Sequence, residues 1–500
     1  MTISFNNIPS NIRVPLFYAE VDSSAANTIQ DTGASLIIAH PLTDSQIERN
    51  KLVIMPSADQ AKKLAGRGSQ LARMVESFRN VDNFGELYVI AVEEPTTGAK
   101  ATGTIQILGT AEETGTLNLY IGNTKIQSRV TISDTAENIA NALNSVINAN
   151  QDLPVTATVT DSTVKLTAKN KGLNGNDIPL CINYYGAVGG EETPDGLKIT
   201  ITQMHGGTGT PDLTPVIAAM GDKLLDFIAF PFNDLSSLAT FNHEMDDTTG
   251  RWSYARQLYG HAYTAKKGDL SELVEFGDKL NYQHITVAGY EKTIQTGIDE
   301  LVAMRTARNA VFIRNDPARP TQTGLLNGAL PASDSNQFTL TEQQSLLSHG
   351  IATAYVSSGN LLIQRDITTY QRNSYGVADN SYLDSETLHT LAYILRKLRS
   401  VITTKYPRHK LANDGTRFGA GQAIITPSIA KAEINANYRQ LELMGLVENF
   451  DLFKKNLIVE RNINNPNRLD VLFPPDLVNQ LRVFAVLAPF RLQYPQQETN

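Results

Sequence analysis

Residues 33–92 combine short apolar runs with one amphipathic segment. Apolar runs at Gly33–Ala39, Leu52–Met55 and Leu87–Val92 predict buried strands. Ser57 can cap a helix whose apolar positions extend from Ala61 to Phe78. A strand–helix–strand order predicts an α/β unit with a right-handed crossover.

The pattern changes at Thr97 and changes back at Gly207. In between, the chain is rich in Thr, Gly and Asn, and apolar residues alternate with polar ones in four segments, which is typical of strands with one buried face. These predicted strands are Thr104–Leu108, Thr116–Ile121, Thr156–Val159 and Val164–Thr167. An amphipathic helix is predicted from Thr135 to Asn148. We interpret this segment as a β-rich domain inserted into a loop of the α/β domain.

The α/β pattern resumes after the insert. Helical segments alternate with the predicted strands Phe227–Phe230, His261–Thr264 and Ile285–Ala288. Repeated units of this kind predict a doubly wound sheet. The segment Asn315–Pro331, rich in Pro and Gly, ends this domain.

The last block mixes strands and long helices. A hairpin is predicted about Ser358 and Gly359, and apolar residues from Leu388 to Ile402 form a helical stripe that ends before Pro407. Thr426 followed by Pro427 predicts the start of a second helix, which ends near Gly445. The segments Leu457–Ile463, Leu469–Phe473 and Leu481–Leu487 are predicted to form a small sheet.

Both ends of the chain are predicted to be extended. Pro9 and Pro15 exclude a helix near the N-terminus, and the segment Leu481–Tyr494 is apolar almost throughout with Pro489 in its middle. An apolar strand must be covered. It is either an edge strand of its own domain or a strand that adds to a neighbouring subunit.

Composition limits the function classes. The 500 residues are 41% hydrophobic and 19% charged, which predicts a globular chain with an ample core. The net charge of −8, without a long charge run, argues against general nucleic-acid binding. No apolar run approaches a membrane span and no secretory signal is evident. The single Cys181 excludes an intrachain disulfide and favours a reducing cytoplasm.

Candidate catalytic motifs are weak. His243-Glu-Met-Asp-Asp247 begins like a zinc-protease helix but has Asp247 where a second His is required. Gly206–Gly209 lacks the Gly-Lys-Ser/Thr ending of a phosphate loop and is interpreted as a flexible joint, while Gly415–Gly421 is interpreted as a surface loop. We therefore predict no catalytic residues, no metal and no cofactor.

The combined pattern resembles the contractile tail sheath proteins of bacteriophages, most closely the Mu-like sheath group. The resemblance depends on Ile3–Glu20, on Arg365-Asp-Ile-Thr-Thr-Tyr-Gln371, on the predicted helix from Tyr382 to Tyr406, and on Phe473–Ala485. The inserted Thr/Gly-rich domain also looks like modules of such sheaths. The likeness covers nearly the whole chain.

The resemblance implies a structural, force-producing protein. Sheath subunits form stacked six-membered rings around a tail tube, their terminal arms exchange strands with neighbours, and contraction drives the tube through the host envelope. The implied partners are other copies of the chain, the tail tube protein, and baseplate and tail terminator proteins, with no nucleic acid and no membrane. The implied location is the virion tail, after assembly in the host cytoplasm.

Two sets of residues are candidates for assembly. For strand exchange between subunits, the candidates are apolar residues of the two arms: Ile12, Val14, Leu16, Tyr18, Phe490, Leu492 and Tyr494. For contact with the tube, they are the basic residues of the two C-terminal helices: Arg396, Lys397, Arg399, Lys405, Lys431 and Arg439.

The predicted fold class is a multidomain protein of α/β and α+β type. It comprises an N-terminal linking arm (1–22), a doubly wound α/β core (23–96 and 208–342), an inserted β-rich outer domain (97–207), a C-terminal α+β domain facing the tube (343–488) and a C-terminal linking arm (489–500). Three alternative functions stay open: the sheath of a phage-tail-like particle, a cytoplasmic α/β enzyme, and a cell-surface binding module.

Overall fold

The computed structural model describes residues 33–419 and 421–492. The arm residues Ile12, Val14, Leu16, Tyr18 and Tyr494 lie outside these ranges, so their assignment stays a prediction.

The described residues form a mixed α/β structure. In chain order, the strands are β1 (Ser35–Ala39), β2 (Leu52–Ile54), β3 (Leu87–Ala91), β4 (Lys100–Gly109), β5 (Gly115–Ile121), β6 (Thr124–Val130), β7 (Val155–Thr160), β8 (Thr163–Lys171), β9 (Leu180–Ile182), β10 (Leu197–His205), β11 (Phe227–Ala229), β12 (His261–Gly268), β13 (Ile285–Glu291), β14 (Thr353–Ser357), β15 (Asn360–Arg365), β16 (Lys410–Leu411), β17 (Ile424–Ile425), β18 (Ile458–Arg461) and β19 (Leu469–Leu472). The helices are α1 (Ala58–Ala65), α2 (Gln70–Arg79), α3 (Ala136–Ala149), α4 (Thr214–Met220), α5 (Leu235–Met245), α6 (Leu270–Gly277), α7 (Ile298–Asn315), α8 (Leu340–Ser348), α9 (Ser385–Lys405), α10 (Pro427–Leu443) and α11 (Phe450–Asn456).

A six-stranded sheet forms the core, in the order β13-β12-β11-β1-β3-β2. The strands run parallel except β2, which pairs antiparallel with β3 at one edge. Alternate residues of β1 face opposite layers: Ile37 packs with residues of α1, α2 and α7, whereas Leu36 packs with residues of α4, α5 and α6. Because helices cover both faces, every residue of β1 is buried. The doubly wound core is confirmed.

The segment after Ser57 contains two helices, so the prediction of one helix reaching Phe78 is wrong. Ser57 caps α1 and Ser69 caps α2, each accepting a hydrogen bond from a backbone N–H in the first turn. Gly66 and Gly68 separate them with φ values of 90° and 78°. A Cβ atom on Gly68 would collide with the carbonyl oxygen of Leu153, so the break lets the insert approach the core.

The insert contains seven strands, β4 to β10, where the alternation predicted four. They form one sheet in the order β10-β4-β8-β7 and a second in the order β6-β5-β9, and α3 packs on both within one apolar cluster. The two ends of the insert meet in a β-bridge between Ala99 and Thr208. Gly207 packs between Gly172 and Asn176, so this connection is closely packed and not a free joint.

The insert is fastened to the core by buried and half-buried hydrogen bonds. Gln295, which precedes α7, donates to the carbonyl oxygen of Gly122 at 2.9 Å, and Tyr184 donates to that of Pro331 at 2.8 Å. At the surface, Arg67 binds both carboxylate oxygens of Asp152 at 2.9 and 2.7 Å. These contacts give the insert a fixed direction relative to the core sheet.

The hairpin β14–β15 packs on the core. Ala352 bridges to Ala288 on β13, and Leu361 and Ile363 belong to the same apolar cluster as Ile37. Further along the chain, α10, α11 and the middle of α9 surround a separate cluster that contains Ile394, Ile434 and Tyr438. The Thr426 cap and the end of α10 next to Gly445 are confirmed.

The prediction of a strand at Leu481–Leu487 is wrong: residues 478–492 contain neither helix nor strand. The sheet predicted there therefore consists of β18 and β19 alone.

A buried ion pair joins the hairpin to the core. Arg305 on α7 donates to Asp366 at 2.6 Å, to the carbonyl oxygen of Thr353 at 2.9 Å and to the Tyr290 hydroxyl at 3.1 Å. Both charged side chains are almost fully buried. Removing one partner would leave the other charge buried without compensation.

We therefore expect Arg305→Ala to lower the free energy of unfolding by about 3–5 kcal/mol. Urea unfolding followed by circular dichroism measures this change. The matched control is Lys279→Ala, which breaks an exposed pair with Glu275 and should cost less than about 0.5 kcal/mol. Equal effects of the two variants would contradict the prediction.

Candidate functional site

The carboxyl ends of the core strands are where a doubly wound enzyme binds its ligand. Here the insert occupies that edge. Asn170 donates to the carbonyl oxygen of Pro41 at 2.9 Å and to Glu94 at 2.8 Å, and Asn174 donates to the carbonyl oxygen of Pro231 at 2.8 Å. Two small spaces lie beside His40 at this edge, with volumes of about 10 and 20 Å³, each with room for one or two water molecules. Neither space could hold the small-molecule ligand of an enzyme.

The motif His243–Asp247 does not gather ligands. His243 is exposed and lies 3.3 Å from Asp246, whereas Asp247 accepts a hydrogen bond from His284 at 2.7 Å. Within residues 33–419 and 421–492, no group of three His, Cys, Asp or Glu side chains could hold a metal ion.

The C-terminal segment is an extended chain with its apolar side chains in solvent. The large apolar residues from Leu481 to Leu492 are between 68% and 96% exposed. They include the candidate residues Phe490 and Leu492. Exposed apolar residues in one continuous segment mark an interaction site.

The segment leaves the body of the protein at Arg482. This side chain lies 3.1 Å from both Asp384 and Glu386 and donates to Gln322 at 3.3 Å. Asp384 also receives two hydrogen bonds from Arg365, at 2.8 and 2.9 Å. Arg482 therefore fixes the point at which the exposed segment begins. Sequence reasoning missed this residue, since a lone Arg within an apolar strand pattern gives no sign of its partners.

The hairpin β18–β19 is a second unusual feature. In the described residues, each of its strands pairs only with the other, so both outer edges keep unpaired backbone groups. Ile458, Val471 and Leu472 are exposed on it, while α10 contacts β18. A two-stranded hairpin is at best marginally stable alone, and further strands would complete it.

The basic candidates for tube contact lie in different environments. Arg396 binds both oxygens of Asp226, at 2.9 and 2.5 Å, and so connects α9 to the residue before β11. Lys405 pairs with Glu433 at 2.6 Å, and Arg439 stacks over the ring of Phe450 at 4.4 Å. Lys397 and Lys431 are half-buried, and Arg399 is exposed. Arg396 thus has a role within the subunit, whereas Lys397 and Arg399 stay available as surface residues.

The first half of α9 packs against the amino ends of the core strands through a histidine cluster. His389 stacks on Phe227 with ring centroids 4.9 Å apart and shares a 3.0 Å hydrogen bond with Tyr263. His261 shares a 2.8 Å hydrogen bond with Thr286, and His284 stacks on Trp252. Burial lowers the pKa of His389 to about 4 and holds the pKa of His261 well below its usual value.

An exposed apolar segment and an incomplete hairpin on one subunit are typical of a structural protein that assembles with further chains. The family model of the phage tail sheath protein central domain matches residues 206–369, and that of the phage tail sheath C-terminal domain matches residues 377–491. The tail sheath protein of the Mu-like prophage FluMu of Haemophilus influenzae is 41% identical over 495 residues, covering 98% of this chain and 100% of that protein.

The crystal structure of a sheath tail protein from Desulfitobacterium hafniense has the same fold, with a TM-score of 0.50 and 12% identity, covering 94% of this chain and 97% of that one. The chain belongs to the phage tail sheath family, which confirms the resemblance. It is a structural component of the tail of a phage or phage-like particle, and as such it self-assembles and associates with other tail components. In the described ranges, no helix has the length and hydrophobicity needed to cross a bilayer.

The histidine cluster predicts acid sensitivity. Because the pKa of His389 is lower in the folded state than the usual 6.5, the unfolded chain binds the proton more tightly. The contribution of neutral His389 to the free energy of unfolding is therefore complete above pH 6.5, and it is lost as the pH falls from about 6.5 to about 4.

The substitution His389→Gln keeps a hydrogen-bond partner for Tyr263. We expect the free energy of unfolding of this variant to fall less between pH 6.5 and 4 than that of the wild type, by up to about 3 kcal/mol. Urea unfolding midpoints measured between pH 7 and 4 test this expectation. The exposed His243→Gln is the control and should retain the wild-type pH dependence. A parallel pH dependence of His389→Gln and wild type would contradict the assignment.

Proposed function

We propose that this chain is the subunit of a contractile tail sheath, polymerising as stacked six-membered rings around the tail tube and contracting to drive the tube through the host envelope. The observation that carries the proposal is the exposed apolar segment Leu481–Leu492 in a member of the tail sheath family. The same function in a headless tail-like particle fits the structure equally well.

The donor and the acceptor of a strand are both present on one subunit. The segment beyond Arg482 supplies an extended apolar strand, and the hairpin β18–β19 supplies unpaired edges with exposed apolar side chains. Strand addition would give the segment its backbone hydrogen bonds and bury both apolar surfaces. Since a subunit that donates to a neighbour can itself accept from another, the contact is heterologous and generates an open helical array.

Arg482 sets the point at which the donated strand leaves its own subunit. It holds the segment against Asp384 and Glu386, at the start of α9 and close to the core. The residues that follow Arg482 can then change direction while Arg482 itself stays bound to its own subunit. This arrangement keeps neighbours connected while the bodies rotate during contraction.

Contacts of α9 and the insert with the core favour movement of each subunit as one rigid body. The first half of α9 is buried against the core, Ile394 joins the C-terminal cluster, and Arg396 connects the helix to Asp226. The insert is fastened at the opposite end of the same sheet. Contraction would then repack rigid subunits into closer contact, releasing energy stored in a kinetically trapped extended sheath.

The domain division remains a proposal with one revised boundary. The hairpin β14–β15 shares the core cluster, and the central-domain model extends to residue 369. We therefore assign residues 343–369 to the core and begin the C-terminal domain near residue 377. The insert is proposed to lie outermost and the C-terminal domain nearest the tube.

The proposed partners are other copies of this chain, the tail tube protein, and baseplate and tail terminator proteins, with assembly in the host cytoplasm. The test is electron microscopy of the purified protein. Striated tubes of uniform width support a sheath. Dispersed monomers under all polymerising conditions, together with turnover of a small substrate, would favour an enzyme instead.

One prediction concerns the two terminal arms. Deleting residues 1–22 or 489–500 should leave folded, soluble subunits that no longer form tubes, because each subunit keeps its own core. Val14→Pro removes one backbone donor and should weaken linkage more mildly. Circular dichroism and electron microscopy separate folding from assembly. Normal tubes from either deletion would exclude strand exchange for that arm.

Another prediction concerns the proposed tube-facing surface. Lys397 and Arg399 are proposed to meet an acidic stripe on the tube, so reversing both to Glu should reduce co-assembly with the tube protein while sheath-only polymers still form. Salt should weaken co-assembly of the wild type. Arg396→Glu is the contrasting variant, since it breaks the pair with Asp226 and should destabilise the subunit itself. Unchanged co-assembly, or loss of sheath-only polymers, would rule out this surface.

A further inference from the structure

One edge of the insert is closed by a side chain. The strand β7 lies at the edge of the four-stranded sheet, next to β8. The amide of Asn148, on the last turn of α3, donates to the carbonyl oxygen of Ala157 at 2.9 Å and accepts from its backbone N–H at 2.9 Å. One side chain therefore satisfies both backbone groups of an edge residue, as a neighbouring strand would.

The groups that Asn148 covers point away from the sheet. Pro154, just before β7, accepts a hydrogen bond from the N–H of Lys169 on β8, so the backbone groups of alternate β7 residues point toward β8 and those of the intervening residues, including Ala157, point outward. Asn148 itself is exposed, which places it on the open side of the strand. Without it, β7 would present an unpaired edge with apolar residues on one face of the strand.

The same chemistry covers an edge strand of the second sheet of the insert, β9. Gln203 on β10 accepts from the backbone N–H of Leu180 at 3.0 Å and donates to the carbonyl oxygen of Leu180 at 2.7 Å. Amide side chains thus bind both backbone groups of one residue on each of two edge strands of the insert, β7 and β9, whereas no side chain binds the hairpin β18–β19 in this way in the described residues. Covering an edge matters in a chain that exposes an apolar segment, because an open edge could accept that segment.

We propose that Asn148 is a specificity-determining residue for assembly: it blocks addition of the C-terminal segment of a second copy at β7 and so confines that segment to the hairpin β18–β19. The inference rests on the strand donation proposed above. Its chemistry is competition for the same two backbone groups, since a donated strand must displace the Asn148 amide from Ala157 to pair there.

The test uses the full-length chain and a synthetic peptide with the sequence of residues 481–494. Hydrogen exchange read by mass spectrometry follows two segments, 155–160 and 458–472. In the wild type, the peptide should protect 458–472 and leave 155–160 unchanged. In Asn148→Ala, it should also slow exchange in 155–160 several-fold. Electron microscopy should then show irregular aggregates in place of uniform tubes.

Two further variants control for folding. Asn141→Ala removes an exposed amide on the same helix that bonds only within the helix, and it should behave as wild type. Asn148→Asp keeps the acceptor for the Ala157 N–H and loses the donor, so it should give a partial gain of peptide protection even if Asn148→Ala folds poorly.

The outcomes separate the two proposals. If the peptide fails to protect 458–472 in the wild type, strand donation to the hairpin is wrong and the role of Asn148 falls with it. If 458–472 is protected but neither Asn148 variant gains protection in 155–160, strand donation stands and the blocking role is overturned. Aggregation of Asn148→Ala that persists after deletion of residues 483–500 would also overturn it, because the donated strand would not be the cause.

Discussion

Apolar side chains exposed to water are unfavourable, and the C-terminal segment of this chain exposes many of them. Its large apolar side chains from Leu481 to Leu492 are in solvent on the single subunit, and the hairpin β18–β19 that precedes it in the chain has two strands and open edges. Contact with a neighbouring chain would bury this surface and gain the free energy of its transfer from water. The proposed strand donation thus links assembly to the burial of this segment.

The core connects several parts of the subunit. The insert binds at the carboxyl ends of the core strands through Asn170 and Asn174, and α9 packs at their amino ends through His389 and Arg396. The hairpin β14–β15 packs beside β13 at one edge. The insert and α9 are therefore attached at opposite ends of one sheet, an arrangement that suits the rigid-body movement proposed for contraction.

Polar groups at these attachments are buried and paired. The Arg305–Asp366 pair holds the hairpin, and Arg482, paired with Asp384 and Glu386, holds the start of the exposed segment. Burying such groups costs desolvation, and the loss of one partner leaves the other uncompensated. These contacts accordingly favour one arrangement of the domains over others, while the apolar clusters supply most of the stability.

The local patterns determined much of this protein. Apolar runs located the core strands, the change to Thr- and Gly-rich alternation located the insert, and Thr426 with Pro427 located the start of α10, because strand and helix periodicities and caps are properties of neighbouring residues. The break between α1 and α2 was not evident, since Gly66 is required by the approach of Leu42 and Gly68 by the approach of Leu153 from the insert. Nor was the state of residues 481–487: an apolar alternating segment looks the same whether its partner lies in its own subunit or in another. The pairing of Arg396 with Asp226, of Arg482 with Asp384 and of Asn148 with Ala157 depends on contacts between distant segments, and only the tertiary structure decides those.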